Sequence, residues 1–321
     1  MSKVAHEPPE RVLSTLNKDG SRFRIRPRLS QGRFYYRRAA VAYFLIAAFA
    51  LIPYFEMGGK PLILLDLARR EFSFFGSTFL PTDSVLLMLL GLTIVIAVFL
   101  VTALWGRVWC GWACPQTVYM EFLFRPIERL FEGNPNAQRK IDKKKGWKGK
   151  RVAKNIAFLL LAMFVAHTFI AYFVGIDRLI TWVQSSPADH PYAFLVMAVV
   201  TGLMFFDFAY FREQMCIVTC PYGRLQSVLL DKRSLIVGYD DNRGEPRGKL
   251  KKATPDQGDC IDCGACVHTC PTGIDIRKGL QMECIGCTQC IDACDAIMDK
   301  IKKPHGLIRY STQEELEGGE R

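Results

Sequence analysis

The sequence predicts an α-helical membrane protein: four transmembrane helices, pseudo-duplicated as 2+2, joined to a small cysteine-rich module. Three observations predict it. Four apolar stretches come close to the ~20 residues that cross a bilayer. A C-x-x-x-C-P element follows both the second and the fourth stretch. Eight further cysteines form two runs of four beyond residue 239. In this chain of 321 residues, 50% are hydrophobic and 23% charged, with the apolar residues clumped. That excludes intrinsic disorder, collagen-like repeats and a small secreted disulfide scaffold.

The first stretch runs from Ala39 to Phe55, with Pro53 near its far end. The second, Ser84 to Trp105, and the third, Asn155 to Ile176, hold no formal charge, although the third carries His167. The fourth, Pro191 to Phe211, is interrupted by Asp207. Lys and Arg in the connecting segments set the orientation. Ten lie in residues 1–38 and twelve in 106–154, including Arg139, Lys140, Lys143, Lys144 and Lys145. Only three lie in 56–83, and Arg178 is alone in 177–190. This alternation predicts cytoplasmic termini. The first apolar run follows 38 largely polar residues without a small-residue cleavage site, so it does not read as a secretory signal. The net charge of +11 gathers beside the spans, where topology and anionic lipid account for it, and no nucleic acid is expected as a partner.

The repeated elements are Cys110-Gly-Trp-Ala-Cys114-Pro115 and Cys216-Ile-Val-Thr-Cys220-Pro221. Each precedes an amphipathic stretch, Thr117 to Phe131 and Gly223 to Leu235. Residues four apart share a helix face, so each pair of thiols can grip one soft ion. The proline disfavours helical geometry at Cys114 and Cys220 and places them at a helix break. Thiolates select Cu(I), zinc or iron–sulfur clusters, and Met215 offers a neighbouring thioether. Buried small hydrophobes are the plain alternative.

The module carries Cys260-x2-Cys263-x2-Cys266-x3-Cys270-Pro271, then Cys284-x2-Cys287-x2-Cys290-x3-Cys294. This is the bacterial two-cluster ferredoxin pattern, in which the fourth cysteine of each run serves the other cluster. The spacing therefore assigns Cys260, Cys263, Cys266 and Cys294 to one 4Fe-4S cluster, and Cys270, Cys284, Cys287 and Cys290 to the second. Asp295 stands where a proline follows Cys270, which loosens the second turn. The chain thus divides into a basic cytoplasmic segment (1–38), a four-helix transmembrane domain (39–238), a dicluster ferredoxin domain (239–310) and an acidic tail (311–321).

Other residues carry both a functional and an ordinary reading. His167, deep in the third span, is either a ligand or quinone contact or a neutral histidine bonded to a backbone carbonyl. Asp207 either pairs with a base such as Arg212 or sits near Cys216. His268 reads as a turn residue, and Trp105, Trp109, Trp112 and Trp182 as an interfacial aromatic belt. No phosphate-binding glycine loop, Ser-His-Asp order or H-E-x-x-H motif occurs, and flavin and nicotinamide have no support.

Taken together, the chain resembles the cytochrome c oxidase accessory proteins of the CcoG family, also called FixG or RdxA. The matching residues are Gly106-Arg-Val-Trp-Cys110 through Cys114-Pro-Gln-Thr117, Phe211-Arg-Glu-Gln-Met-Cys216, and Cys220-Pro-Tyr-Gly-Arg-Leu-Gln-Ser227. Further along come Arg243-Gly-Glu-Pro-Arg247, Gly258-Asp-Cys-Ile-Asp-Cys263, Cys270-Pro-Thr-Gly-Ile-Asp-Ile-Arg277 and Gly306-Leu-Ile-Arg-Tyr-Ser-Thr312. The resemblance implies a bacterial inner-membrane protein that reduces Cu(II) to Cu(I) and supports assembly of a cbb3-type haem–copper oxidase. Its implied partners are oxidase-assembly and copper-delivery proteins and an unknown electron donor. Cys110, Cys114, Cys216 and Cys220 are then the candidate copper and catalytic site, with Met215 and His167 as weaker ligand candidates. Members usually continue into a further span and an immunoglobulin-like domain, whereas this sequence stops at Arg321 after Glu314, Glu315, Glu317 and Glu320. A quinol-oxidising electron carrier of the NapH type and a non-enzymatic copper chaperone or scaffold are the alternatives.

Overall fold

The computed structural model describes residues 11–17, 22–67, 69–79, 84–143, 149–250 and 255–318. Lys144, Lys145 and Glu320, named above, lie outside them. In chain order the elements are β1 (Arg11–Leu13), β2 (Leu16–Asn17), α1 (Arg33–Leu51), β3 (Glu56–Met57), β4 (Lys60–Pro61), β5 (Ile63–Asp66), β6 (Glu71–Phe74) and β7 (Ser77–Phe79). They continue with α2 (Ser84–Trp105), α3 (Val108–Trp112), α4 (Pro115–Tyr119), α5 (Arg125–Glu132), α6 (Pro135–Lys143), α7 (Gly149–Val174), α8 (Ile176–Gln184), α9 (Pro191–Phe206) and α10 (Pro221–Leu229). The last are β8 (Ile236–Tyr239), α11 (Asp241–Gly244), α12 (Ala265–Thr269), α13 (Gln289–Ile301), β9 (Ile308–Ser311) and α14 (Gln313–Leu316).

Four segments are long and apolar enough to cross a membrane: Arg33–Tyr54, Met88–Trp105, Gly149–Val174 and Pro191–Phe211. The first helix begins ahead of Ala39, for a reason that lies far away in sequence. Asp292 of α13 accepts hydrogen bonds from the backbone N–H groups of Phe34 (3.1 Å) and Tyr35 (2.7 Å). A carboxylate there satisfies two orphan donors and complements the helix dipole. Gly32 is the N-cap, and a Cβ on it would lie 2.5 Å from that carboxylate. Losing the cap in Asp292→Ala should cost about 1–2 kcal/mol of thermal stability, with Asp292→Asn recovering most of it. Equal melting of the alanine variant and the parent protein would refute the role.

α7 is the hub of the bundle, packing against α9, α5 and α1. Its buried stripe includes Phe158, Ala162, Val165, Ala166 and Ile170. The small residues admit close helices, and Phe124 fills the junction, stacked on Phe208 (centroids 4.3 Å apart) and edge-on to Phe158 (5.0 Å). α2 stands apart. It is exposed along nearly its whole length until Thr102, whose hydroxyl meets that of Tyr222 at 2.6 Å. A helix apolar all round and open all round is suited to lipid.

The segment between α1 and α2 is not the plain loop the sequence implies. β5, β6 and β7 form an antiparallel sheet, with Ile63 opposite Phe74 and Phe72 opposite Phe79. It packs on the end of α7, and Arg178 pairs with the buried Asp66 at 2.6 Å. The cysteine-rich module sits at the opposite end of the bundle.

In the module, β8 pairs antiparallel with β9, Ile236 opposite Ser311 and Tyr239 opposite Ile308. The strand that opens the module therefore lies ahead of residue 239. α10 stops at Leu229, shorter than the amphipathic stretch to Leu235. Residues 312–317 fold back onto the sheet: the Thr312 side chain caps α14, and Leu316 presses on Gly238. Cys294 lies inside α13, not in a loosened turn, because without proline at 295 nothing stops the helix before Ile301.

Candidate electron-transfer site at the membrane edge

The two C-x-x-x-C-P elements fold alike. Cys114 and Cys220 are both N-cap residues with extended ψ (126° and 111°), and each is followed by proline at the first helical position. Proline suits that position because its φ is preset and its missing N–H would be orphaned anyway. In both elements the second cysteine's N–H returns to the carbonyl preceding the first cysteine, Cys114 to Trp109 (2.9 Å) and Cys220 to Met215 (2.8 Å). This wide turn supersedes the regular helical spacing read from the sequence.

The elements face each other, so that the four thiols lie within one another's electrostatic reach. All four are half-buried, and the Cys110 thiol donates to Gln226 Oε1 at 3.3 Å. Burial, then the neighbouring thiols, push Cys110 up to about 12 and raise Cys216 further. Neutral, closely set thiols of this kind are an inviting site for a soft cation, which would displace their protons. Among the described residues, no three His, Cys, Asp or Glu side chains are drawn tightly around one point.

In the module the two cysteine runs repeat one backbone path. Asp262 and Gly286 occupy equivalent left-handed positions (φ 49° and 64°), as do Gly264 and Thr288 (φ 66° and 60°). A helix follows each, α12 and α13. Cys294 lies in the electrostatic neighbourhood of Cys266, Cys260 and Cys263, and Cys290 in that of Cys287, Cys284 and Cys270. Cys266, Cys270, Cys284, Cys287 and Cys290 line a small cavity walled by Val237, Ile274, Ile276 and Ile285. Burial pushes the thiols of Cys266, Cys287 and Cys294 up to about 12 and that of Cys284 to about 11. All twelve cysteines are free of disulfides. A dry cage of unbridged thiols beside a void is a donor set that fits an iron–sulfur cubane, whose iron supplies the missing positive charge.

The two sites are contiguous. A Cβ on Gly111 would lie 2.8 Å from the carbonyl oxygens of Ile285 and Gly286 and 2.9 Å from Cys287 Cα. The first membrane-edge element thus rests on the cluster loop, backbone to backbone. Arg107 donates to the carbonyls of Met282, Cys284 (2.9 Å) and Gly223 (3.1 Å), binding the loop to α10 as well. Trp112 Nε1 donates to the Tyr310 hydroxyl (3.0 Å), which in turn reaches the Gly286 carbonyl (3.2 Å). Trp112 is therefore a docking residue rather than part of an aromatic belt, whereas Trp105 and Trp109 are exposed.

A buried ion network, which the sequence reading missed, anchors this edge. Glu128 of α5 accepts from Arg212 through both carboxylate oxygens (2.9 Å each) and from Arg26 (2.5 Å). Lys154 pairs with Glu132 at 2.9 Å, and Arg125 with Glu121. Burial alone would raise the Glu128 carboxyl, but Arg212 and Arg26 outweigh it and hold the group far below the usual carboxylate range. Arg212, which makes both 2.9 Å bonds to Glu128, has a positive φ of 56°, a backbone state that costs a non-glycine residue energy. Asp207 does not pair with the Arg212 side chain. It accepts from Gln116 (3.2 Å) and lies near Cys216.

His167 Nδ1 bonds the Met163 carbonyl of its own helix at 2.7 Å. It sits thirteen residues, about 20 Å, along α7 from Lys154 of the network, and is not brought to the thiols. Met215 is exposed beside Cys216. His268 lies in α12, its carbonyl accepting from Arg28 N–H (2.9 Å), so the N-terminal segment straps across the module.

Comparison with known proteins points to iron–sulfur domains over both cysteine-bearing regions. A family described as a 4Fe-4S dicluster domain matches residues 211–313, and one described as a 4Fe-4S binding domain matches residues 87–134. The chain is 44% identical over 255 residues to Protein RdxB of Cereibacter sphaeroides and 38% over 252 residues to Protein RdxA of the same organism; each alignment covers 77% of this chain and 53% of the relative. It is 38% identical over 304 residues to the nitrogen fixation protein FixG of Rhizobium meliloti, covering 91% of this chain and 57% of that protein. The chain therefore spans about half the length of the curated relatives it matches. No solved structure matches it. Four apolar helices, 4Fe-4S domains and these relatives together show that the chain belongs to the FixG/RdxA, or CcoG, family of membrane proteins for electron transfer.

Proposed function

We propose that the chain is a cupric reductase of the bacterial inner membrane, with its module on the cytoplasmic side, and that it supports maturation of a cbb3-type oxidase. The observation that supports the reading is the seating of Gly111, between Cys110 and Cys114, on the backbone of Cys287. Cys260, Cys263, Cys266 and Cys294 hold one 4Fe-4S cluster, and Cys270, Cys284, Cys287 and Cys290 the other. Bound there, the clusters supply electrons one at a time. Cys110, Cys114, Cys216 and Cys220 gather copper; their soft sulfur favours Cu(I) over Cu(II) and so draws the electron to the metal. Each Cu(II) takes one electron and leaves as Cu(I), and an external reductant, a membrane quinol or a reduced carrier protein, replaces that electron. Cys263 is exposed, which supports entry of that electron at the cluster it helps to hold.

Serine at all four membrane-edge cysteines should leave the module's iron and sulfide intact. It should lower anaerobic Cu(I) production, read with a Cu(I)-specific chelator, by at least the 10–100-fold typical of disturbed metal sites. Undiminished production removes these thiols from the mechanism, and copper capture without reduction in the unaltered protein points to a chaperone. One observation favours the quinol-oxidising alternative: a small, mostly apolar cleft sets Arg107 and Tyr310 beside Cys284. Quinol-driven module reduction with no copper turnover would select it.

A further inference from the structure

Arg38, in the second turn of α1, is only 1% exposed. Its Nε donates to the Gly111 carbonyl at 3.0 Å, and the Phe122 ring lies 5.5 Å from its guanidinium carbon. Its Nη1 and Nη2 are buried with no hydrogen-bond partner among the described residues. Guanidinium is charged at any ordinary pH, and an uncompensated buried charge costs several kcal/mol. The other deeply buried cations of this edge, Arg26, Arg125, Lys154 and Arg212, all have carboxylate partners. Arg38 instead faces the cluster loop. The carbonyl it binds belongs to the residue seated on Cys287, and its positive charge acts on Cys287 and on Tyr310.

We propose that Arg38 is the counter-ion of the cluster held by Cys270, Cys284, Cys287 and Cys290, its two free N–H groups donating to that cluster's sulfur, and that it makes this cluster the more easily reduced of the pair. The inference rests on the reading that these cysteines hold a cluster. A cubane with four thiolate ligands is net anionic and becomes more so on reduction. A fixed cation and N–H donors therefore favour the reduced form, the ordinary way a surrounding protein tunes such a potential. Arg38 thereby holds the electron at the end of the module nearest Cys110. The same side chain joins the first span, the first C-x-x-x-C-P element and the cluster loop, which makes it a positioning residue for electron transfer.

The test is an anaerobic redox titration of the cluster-loaded full chain, followed by low-temperature electron paramagnetic resonance. In Arg38→Gln the reduced-to-oxidised ratio of one cluster, at its original midpoint, should fall about tenfold, which is about 59 mV for a one-electron couple. The cluster held by Cys260, Cys263, Cys266 and Cys294 should stay put, and a Cys263→Ser background marks its signal. Arg38→Lys, which keeps charge but loses the planar fork, should shift the same cluster less. If Arg38→Gln does not assemble, Arg38→Lys decides: a shift in one cluster supports the proposal, and unmoved potentials overturn it. Equal shifts in both clusters also overturn it. Iron-replete protein with unmoved potentials defeats the role of Arg38 alone, whereas an unaltered chain that binds no iron or sulfide defeats the cluster reading and the inference with it.

Discussion

Gly111→Val should slow electron delivery from the module to copper by roughly 10- to 100-fold, the penalty for misplacing reacting groups by about an ångström, while leaving iron and sulfide content unchanged. The backbone atoms of residues 285–287 lie under 3 Å from where the first side-chain carbon would sit. They belong to the cluster loop, which is fixed by Arg107, Tyr310 and the left-handed turn at Gly286. The loop and the membrane-edge element must separate, at a strain of about 1–3 kcal/mol. The cysteines of both sites remain, so metal content survives while transfer is impaired. Copper-dependent reoxidation of the reduced module, timed by stopped flow, checks this. A rate equal to that of the unaltered protein would show that electrons do not cross at Gly111.

Glu128→Ala should be the most destabilising substitution at the membrane edge, by about 3–5 kcal/mol. It removes both carboxylate hydrogen bonds of the buried Arg212, leaving it only Glu213 at 3.6 Å among the described residues. It takes the shortest partner from the buried Arg26, which keeps Asp142 at 3.2 Å, and removes one carboxylate near Lys154. Against a typical total of roughly 5–15 kcal/mol, that is a large fraction. The same carboxylate gives stability a pH dependence of known sign. Its folded-state pKa is held below the unfolded value by Arg212 and Arg26. Its contribution is therefore complete above the ordinary glutamate range and fades as pH falls through that range toward the depressed folded value. Thermal unfolding in detergent between pH 7 and pH 4 should show a steeper loss for the parent protein than for Glu128→Gln. Parallel curves would mean that Glu128 is not the group responsible.

How much of this was legible in the sequence depended on distance along the chain. The spans were readable because Ser84–Trp105 carries no charge, and the module because its cysteine spacing has a near-unique meaning. The likeness of the two C-x-x-x-C-P elements was also visible, down to the break that Pro115 and Pro221 impose on the residues before them. What was hidden is long-range. Asp292 caps a helix 258 residues upstream of it, and Arg26 meets Glu128 across 102 residues. No local pattern announces either pairing, so the start of α1 and the whole ion network were missed. Gly111 carries no signal of its own in the sequence, because only a neighbouring backbone reveals why a side chain is forbidden there. The β5–β7 sheet escaped because its strands are three or four residues long, too short for alternation to stand out.

The most direct measurement is a single turnover. Protein with its module chemically reduced is mixed anaerobically with a limiting amount of Cu(II), and loss of module electrons is followed together with Cu(I) formation. The account predicts that the two proceed at one rate and in equal numbers, and that both collapse when Cys110, Cys114, Cys216 and Cys220 are serine. Reduced module that persists beside thiol-bound Cu(II), or Cu(I) that appears without loss of module electrons, would contradict it.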